Sequence, residues 1–143
     1  MFITGSQALI VGASCSVAAA LAHLVCIVLG APAYRLMGAG EKMARAVEAG
    51  KFRPTVVTLI ISVILLVWAA YALGAAGVIT LLPFSSLVLP VICAIYLTRA
   101  FAFPLLKPAF PENSNTFWFV SSAICLVIGL AHLYGVISMW STL

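Results

Sequence analysis

Apolar residues run almost unbroken through four stretches of the chain, at about 7–30, 55–79, 83–103 and 117–140. A bilayer core about 30 Å thick takes roughly 20 apolar residues as helix, so each stretch is expected to span a membrane. Only "TLLP", Thr80–Pro83, separates the second run from the third, which predicts a tight antiparallel hairpin. Pro83 suits the first turn of the third helix, where a missing N–H costs nothing. Pro90 falls inside that helix and predicts a kink. Beyond it, "FPLLKPAFPENSN", Phe103–Asn115, carries Pro104, Pro108 and Pro111 and reads as a stiff, non-helical connector.

The polar pattern is concentrated in one place. "GAGEKMARAVEAGKFRP", Gly38–Pro54, holds Glu41, Lys42, Arg45, Glu48, Lys51 and Arg53, six of the ten Asp, Glu, Lys and Arg residues of the chain. Gly38 and Gly40 break the backbone, Gly50 suits a helix C-terminus and Pro54 opens the next run. Residues 41–49 between them fit a short helix. On a 3.6-residue wheel Glu41, Arg45 and Glu48 share one face, opposite Met43, Ala46 and Val47. Glu41 with Arg45 and Arg45 with Glu48 have the spacing of helical ion pairs. The expectation is an amphipathic helix lying along the membrane surface.

Composition turns these runs into a class. The chain is 65% hydrophobic and 7% charged, with a mean hydropathy of +1.26. Soluble domains carry about 25% charged residues, so the sequence describes a single all-α integral membrane domain, a four-helix transmembrane bundle with one short cytoplasmic helix. The net charge of +4 comes with no basic–aromatic platform, which excludes a nucleic-acid surface and leaves membrane lipids as partners. All seven cations lie in two regions: Arg35, Lys42, Arg45, Lys51 and Arg53 in the loop after the first run, and Arg99 and Lys107 at the end of the third run and in the loop after it. The positive-inside rule places both loops in the cytoplasm and both termini outside, with a bacterial inner membrane as the expected location. No basic segment precedes the first apolar run, so that run is expected to stay as a span.

Small residues at helical spacing, Ala8–Gly12–Ser16–Ala20, Ala70–Gly74 and Ala131–Gly135, suit close helix approach. Packing within one bundle is the favoured use of these faces, ahead of a homo-oligomer or protein-partner face. "LAHL" occurs at Leu21–Leu24 and Leu130–Leu133, but the flanks do not align as a repeat.

Candidate chemistry is sparse. His23 and His132 are ionisable groups inside apolar runs, where such residues are costly and often functional. Counted from the cytoplasmic ends of their spans, they differ in depth by roughly 12 Å, too far to share one metal ion or haem iron. They are therefore weak cofactor candidates, and no cofactor or metal is assigned. Cys26 shares the face of His23, and Cys125 lies near that depth. The four cysteines read as apolar core residues. There is no Asp, and Glu41, Glu48 and Glu112 all lie outside the spans, so an intramembrane carboxylate relay and a Ser–His–Asp triad are both absent. Arg99 is expected to reach for lipid headgroups; its alternative is a cationic ligand pocket with Arg35 and Arg45. The tyrosines and tryptophans read mostly as an interfacial belt.

Three functions fit this inventory. The first is a non-catalytic component, either an interaction or assembly subunit or a binder of a lipophilic ligand. The second is a small membrane enzyme. In size and layout the chain is similar to the MAPEG family of membrane glutathione and eicosanoid enzymes, with four spans, a charged cytoplasmic segment after the first and a short second connection. Arg45 and Glu48 fall roughly where that family carries Arg and Glu, although its surrounding Arg/His/Asn-rich pattern is missing here. The resemblance implies lipophilic or thiol substrates. The third is an oligomeric channel or transporter for small neutral solutes. The non-catalytic reading stands ahead of the enzyme.

Overall fold

The computed structural model describes residues 3–143, which are helical with short connections and contain no strand. Helix α1, Gly5–Leu29, begins where Thr4 caps it: the Thr4 hydroxyl accepts from the Gln7 N–H, and the Gln7 side chain accepts from the Thr4 N–H. That reciprocal box satisfies two end donors. Two short helices follow, α2 at Ala31–Leu36 and α3 at Glu41–Glu48. Helix α4, Arg53–Ala75, opens on Pro54 in its first turn. Helix α5 is Ser85–Phe101, α6 is Phe103–Leu106, and α7 is Asn115–Met139, capped by the Ser114 hydroxyl.

Three helical segments, Gly5–Leu29, Arg53–Ala75 and Asn115–Thr142, are long and apolar enough to cross a membrane. The third apolar run, 83–103, differs from its expected form. Its 17-residue helix α5 extends only about 25 Å at 1.5 Å per residue. The chain then bends by 63° into Phe103–Ala109. Pro104 is the cause: its ring cannot follow the carbonyl of residue 100 in a continuing helix, so α5 stops and α6 restarts with the proline in its own first turn. Pro108 repeats the device in a 3-10 turn, Lys107–Ala109. The first half of the connector, Phe103–Ala109, is thus helical where non-helical chain was expected, because Pro104 and Pro108 each sit in a first turn, the helical position that tolerates proline. Phe110–Ser114, with Pro111, is non-helical as expected.

The hairpin between α4 and α5 is also longer than "TLLP". Gly77 adopts φ 77°, and the Gly77 and Val78 N–H groups donate back to Gly74 O and Leu73 O. This left-handed closure ends α4 at Ala75, short of Ile79. The chain folds back so closely that a Cβ on Gly74 would lie 3.1 Å from Thr80 O. Pro83 precedes α5 rather than opening it, because Phe84 takes the left-handed conformation (φ 60°) before Ser85.

Helix α1 packs between α4 and α7, and α5 packs chiefly on α7. The small-residue face of α1, with Ala8, Gly12, Ser16 and Ala20 all buried, is the centre of this arrangement. The main core gathers Leu9, Ala13, Leu65, Ala69, Leu89, Ile92, Tyr96, Ile128 and Val136. A second, smaller core at the charged end joins Cys26, Ala31, Ala33, Tyr34 and Ala44, with Met43 and Val47 against it. The apolar face of α3 therefore packs on α2 and the end of α1, not on an open surface. Several aromatic side chains expected in an interfacial belt are interior instead. Tyr34, Tyr96 and Trp118 are all buried; Tyr34 bonds Thr58 at 2.9 Å, and Tyr96 bonds Ser16 at 2.8 Å.

Candidate functional site

The charged end of the molecule is built by three loop segments. Arg35, carried there by α2, bridges Glu41 and Glu48: its guanidinium donates to both Glu41 carboxylate oxygens at 2.9 Å and approaches Glu48 at 2.8 Å. Glu41 and Glu48 lie two turns apart on one face of α3, which suits the two-sided guanidinium fork. Arg45 pairs with Glu41 at 3.1 Å. Glu48 thus pairs with Arg35, where the helical spacing suggested Arg45. Glu112 reaches across from the loop before α7 and accepts the Glu41 N–H at 2.6 Å, while the Asn113 amide donates to Gly38 O.

This clasp fixes an electrostatic prediction. The Arg35 and Arg45 hydrogen bonds hold the Glu41 carboxyl down at about 2, against an ordinary value of 4.5, and Glu41 in turn raises Arg35. A depressed carboxylate contributes stability that is present above the ordinary value and lost as pH falls through the folded one. The contribution of the Glu41 ion pairs should be complete above pH 4.5 and lost as pH falls through about 2. In a carbon-13 NMR titration, Glu41 should titrate near the lower value, and Arg35→Gln should move its midpoint upward. An unchanged midpoint in the variant would refute the pairing.

Beneath the clasp lies a cleft of about 230 Å³, lined by His23 and Cys26 of α1, Val57 and Ile61 of α4, Met43 of α3 and Phe110 of the loop, among others. Its lining is mostly apolar, and the Tyr34 and Thr58 hydroxyls that also line it are bonded to each other. His23 is the polar handle. Its Nδ1–H donates to Ala19 O at 2.7 Å, which leaves Nε2 as the ring's acceptor. Nothing in the sequence marks Phe110, Met43 or Val57, because their meeting depends on how the loops fold over α1 and α4.

His132 lies elsewhere. It is fully buried against Gly12, its Nδ1–H donates to Ile128 O at 2.9 Å, and its ring stacks on Tyr96 at 5.5 Å. Gly12 precedes His23 by eleven residues of α1, or about 16 Å of helix. The structure therefore does not bring the two histidines together. Among the described residues, no three His, Cys, Asp or Glu side chains group as metal ligands. Cys26 lies in the small core, whereas Cys125 packs against the main one.

Arg99 does not join Arg35 and Arg45. Those two belong to the clasp. Arg99 of α5 lies over the Trp118 ring of α7, 5.3 Å from its centroid, and donates to the Ser121 hydroxyl at 3.3 Å.

Comparison with family models, with curated proteins and with solved structures finds no match.

Proposed function

We propose that the chain is a four-span integral membrane protein that binds a lipophilic ligand without chemically altering it. The spans are α1, α4, α5 with its bent continuation, and α7. The two charged loops face the cytoplasm of a bacterial inner membrane, and the termini lie on the opposite side. All seven cations lie in those loops or, for Arg99, in the last turn of α5 beside them, which supports this orientation.

The observation that carries the binding reading is the cleft at the charged end. It combines mostly apolar walls with an imidazole acceptor and the paired Tyr34 and Thr58 hydroxyls, the composition typical of a small-molecule site. At about 230 Å³ it is smaller than the roughly 300–1,000 Å³ of drug-sized pockets. An acyl segment or a single ring fits that size. Phe110 and the Glu112–Glu41 and Asn113–Gly38 bonds hold the loop over the opening. The enzyme reading is weaker because Arg45 and Glu48 are both engaged in the clasp. A pore through a single chain is disfavoured because Leu9, Leu89, Ile92 and His132 fill the interior, which leaves a channel only between copies of the chain.

Gentle extraction followed by native mass spectrometry tests the proposal. The wild type should retain a lipophilic mass, and Val57→Trp, which fills the cleft, should lower its occupancy about tenfold, a loss of about 1.4 kcal/mol. Equal occupancy in both proteins would contradict the cleft. A stoichiometric protein partner in place of a small ligand would favour an assembly subunit.

A further inference from the structure

The region where α5 meets α7 near the charged end holds three buried hydrogen-bonding atoms with no partner among the described residues: Nη1 of Arg99, Nε1 of Trp118 and Oγ of Ser122. The Trp118 and Ser122 side chains are 3% and 9% exposed. Trp118 and Ser122 are one helical turn apart and so lie on one face of α7, and the Arg99 guanidinium is placed over the Trp118 ring. The second Arg99 nitrogen, Nη2, is already bonded to Ser121. An indole N–H and a guanidinium can only donate, and a hydroxyl can donate as well. Unmade hydrogen bonds of this kind cost about 1–3 kcal/mol each, more for a charged group.

The charge makes the demand specific. Arg99 cannot be neutralised by losing a proton, and a cation in an apolar bundle calls for a counter-charge. All three carboxylate side chains are committed elsewhere: Glu41 and Glu48 to Arg35, and Glu112 to the Glu41 N–H. Arg99 also sits in the last turn of α5, immediately before the 63° bend, at the level where headgroups meet the bundle in the proposed orientation.

We propose that Arg99, Trp118 and Ser122 form a binding site for an anionic phosphate oxygen, separate from the apolar cleft. The guanidinium supplies charge and one N–H, the indole N–H and hydroxyl supply direction, and the Trp118 ring holds the guanidinium in place through its face. An acidic phospholipid and free phosphate both present this chemistry.

The purified protein in neutral detergent separates these two sources. Native mass spectrometry with added phosphatidylglycerol or phosphatidylcholine reads lipid retention, and thermal unfolding with added inorganic phosphate reads the free anion. In the lipid case the wild type retains phosphatidylglycerol over phosphatidylcholine, and Arg99→Gln lowers that retention about tenfold. In the free-anion case phosphate raises the wild-type melting temperature and leaves that of Arg99→Gln unchanged. Trp118→Phe keeps the ring and removes only the indole N–H, so it should weaken binding several-fold even if Arg99→Gln folds poorly. Equal retention of both lipids with no response to phosphate would overturn the proposal. So would binding by Trp118→Phe that matches the wild type in a folded protein.

Discussion

Gly135→Val should be the most damaging single substitution in the chain. A Cβ at this position would overlap Leu9 Cγ and lie 3.0 Å from the Gly5 carbonyl oxygen. The side chain of Leu9 is fully buried, and the Gly5 contact is backbone. Overpacking a close-packed interior costs about 1–3 kcal/mol and occasionally more. A branched residue here also separates α1 from α7 along their length, because Gly5 faces Ser138 with similarly little room, 2.6 Å from an added Cβ. A loss of about 3 kcal/mol or more is expected in reversible unfolding from mixed micelles. Wild-type stability in Gly135→Val would mean that α1 and α7 do not approach as closely as described.

The second large effect concerns His132. Its imidazole fills a completely buried site, and an added Cβ on Gly12 would meet the ring at 2.6 Å. His132→Ala should cost about 2–4 kcal/mol through the cavity it leaves. Gly12→Ala should also destabilise, because the ring has no space to yield. Together they should cost less than the sum of the two, since removing the ring frees the volume the new methyl needs. Contacting residues couple by about 0.5–3 kcal/mol, and a double-mutant cycle reads this coupling directly. Strict additivity would show that His132 is not packed on Gly12. The same cycle separates a packing role for His132 from a ligand role, since a ligand-binding histidine would couple to ligand concentration as well.

Much of this architecture is legible in the sequence because the hydrophobic runs are long and the helix signals are local. Pro54, expected to open its helix, does so in a first turn, whereas the Thr4–Gln7 box and the Ser114 cap, although equally local, emerge only from the structure. The features that periodicity misses depend on distant partners or on the place of a breaker. Gly77 ends α4 before the apolar pattern does. Pro104 and Pro108 restart helix where proline spacing suggests its exclusion, because a proline is tolerated in a first turn and resisted in an interior. Tyr34, Tyr96 and Trp118 look interfacial by type, but Thr58, Ser16 and Arg99 draw them inward.

The candidate sites are less accessible still. His23 is visible as an ionisable group in an apolar run, but its cleft is made by Met43, Val57 and Phe110 from three other segments. Arg99 is visible as a cation at a span end. The donors beside it are not, since neither Trp118 nor Ser122 signals an unpartnered atom from sequence alone. Arg35 stands out only as one member of a cation group, whereas its position at the end of α2 lets it span both Glu41 and Glu48. Those relations are tertiary, and helical periodicity cannot supply them.

The proposed topology depends most on α5 crossing the membrane despite its 17 residues and the bend after it. Only then do both charged loops lie on one side, with the cleft, the clasp and Arg99 at the same face. Thiol accessibility in sealed inner-membrane vesicles tests this, using single cysteines at Lys51, Ile79 and Ala109 in a chain whose four native cysteines are replaced by alanine. Lys51→Cys and Ala109→Cys should react with an impermeant maleimide from the same side, and Ile79→Cys from the other. If Ala109→Cys reacts from the side of Ile79→Cys, then α5 turns back within the membrane and the chain does not cross four times.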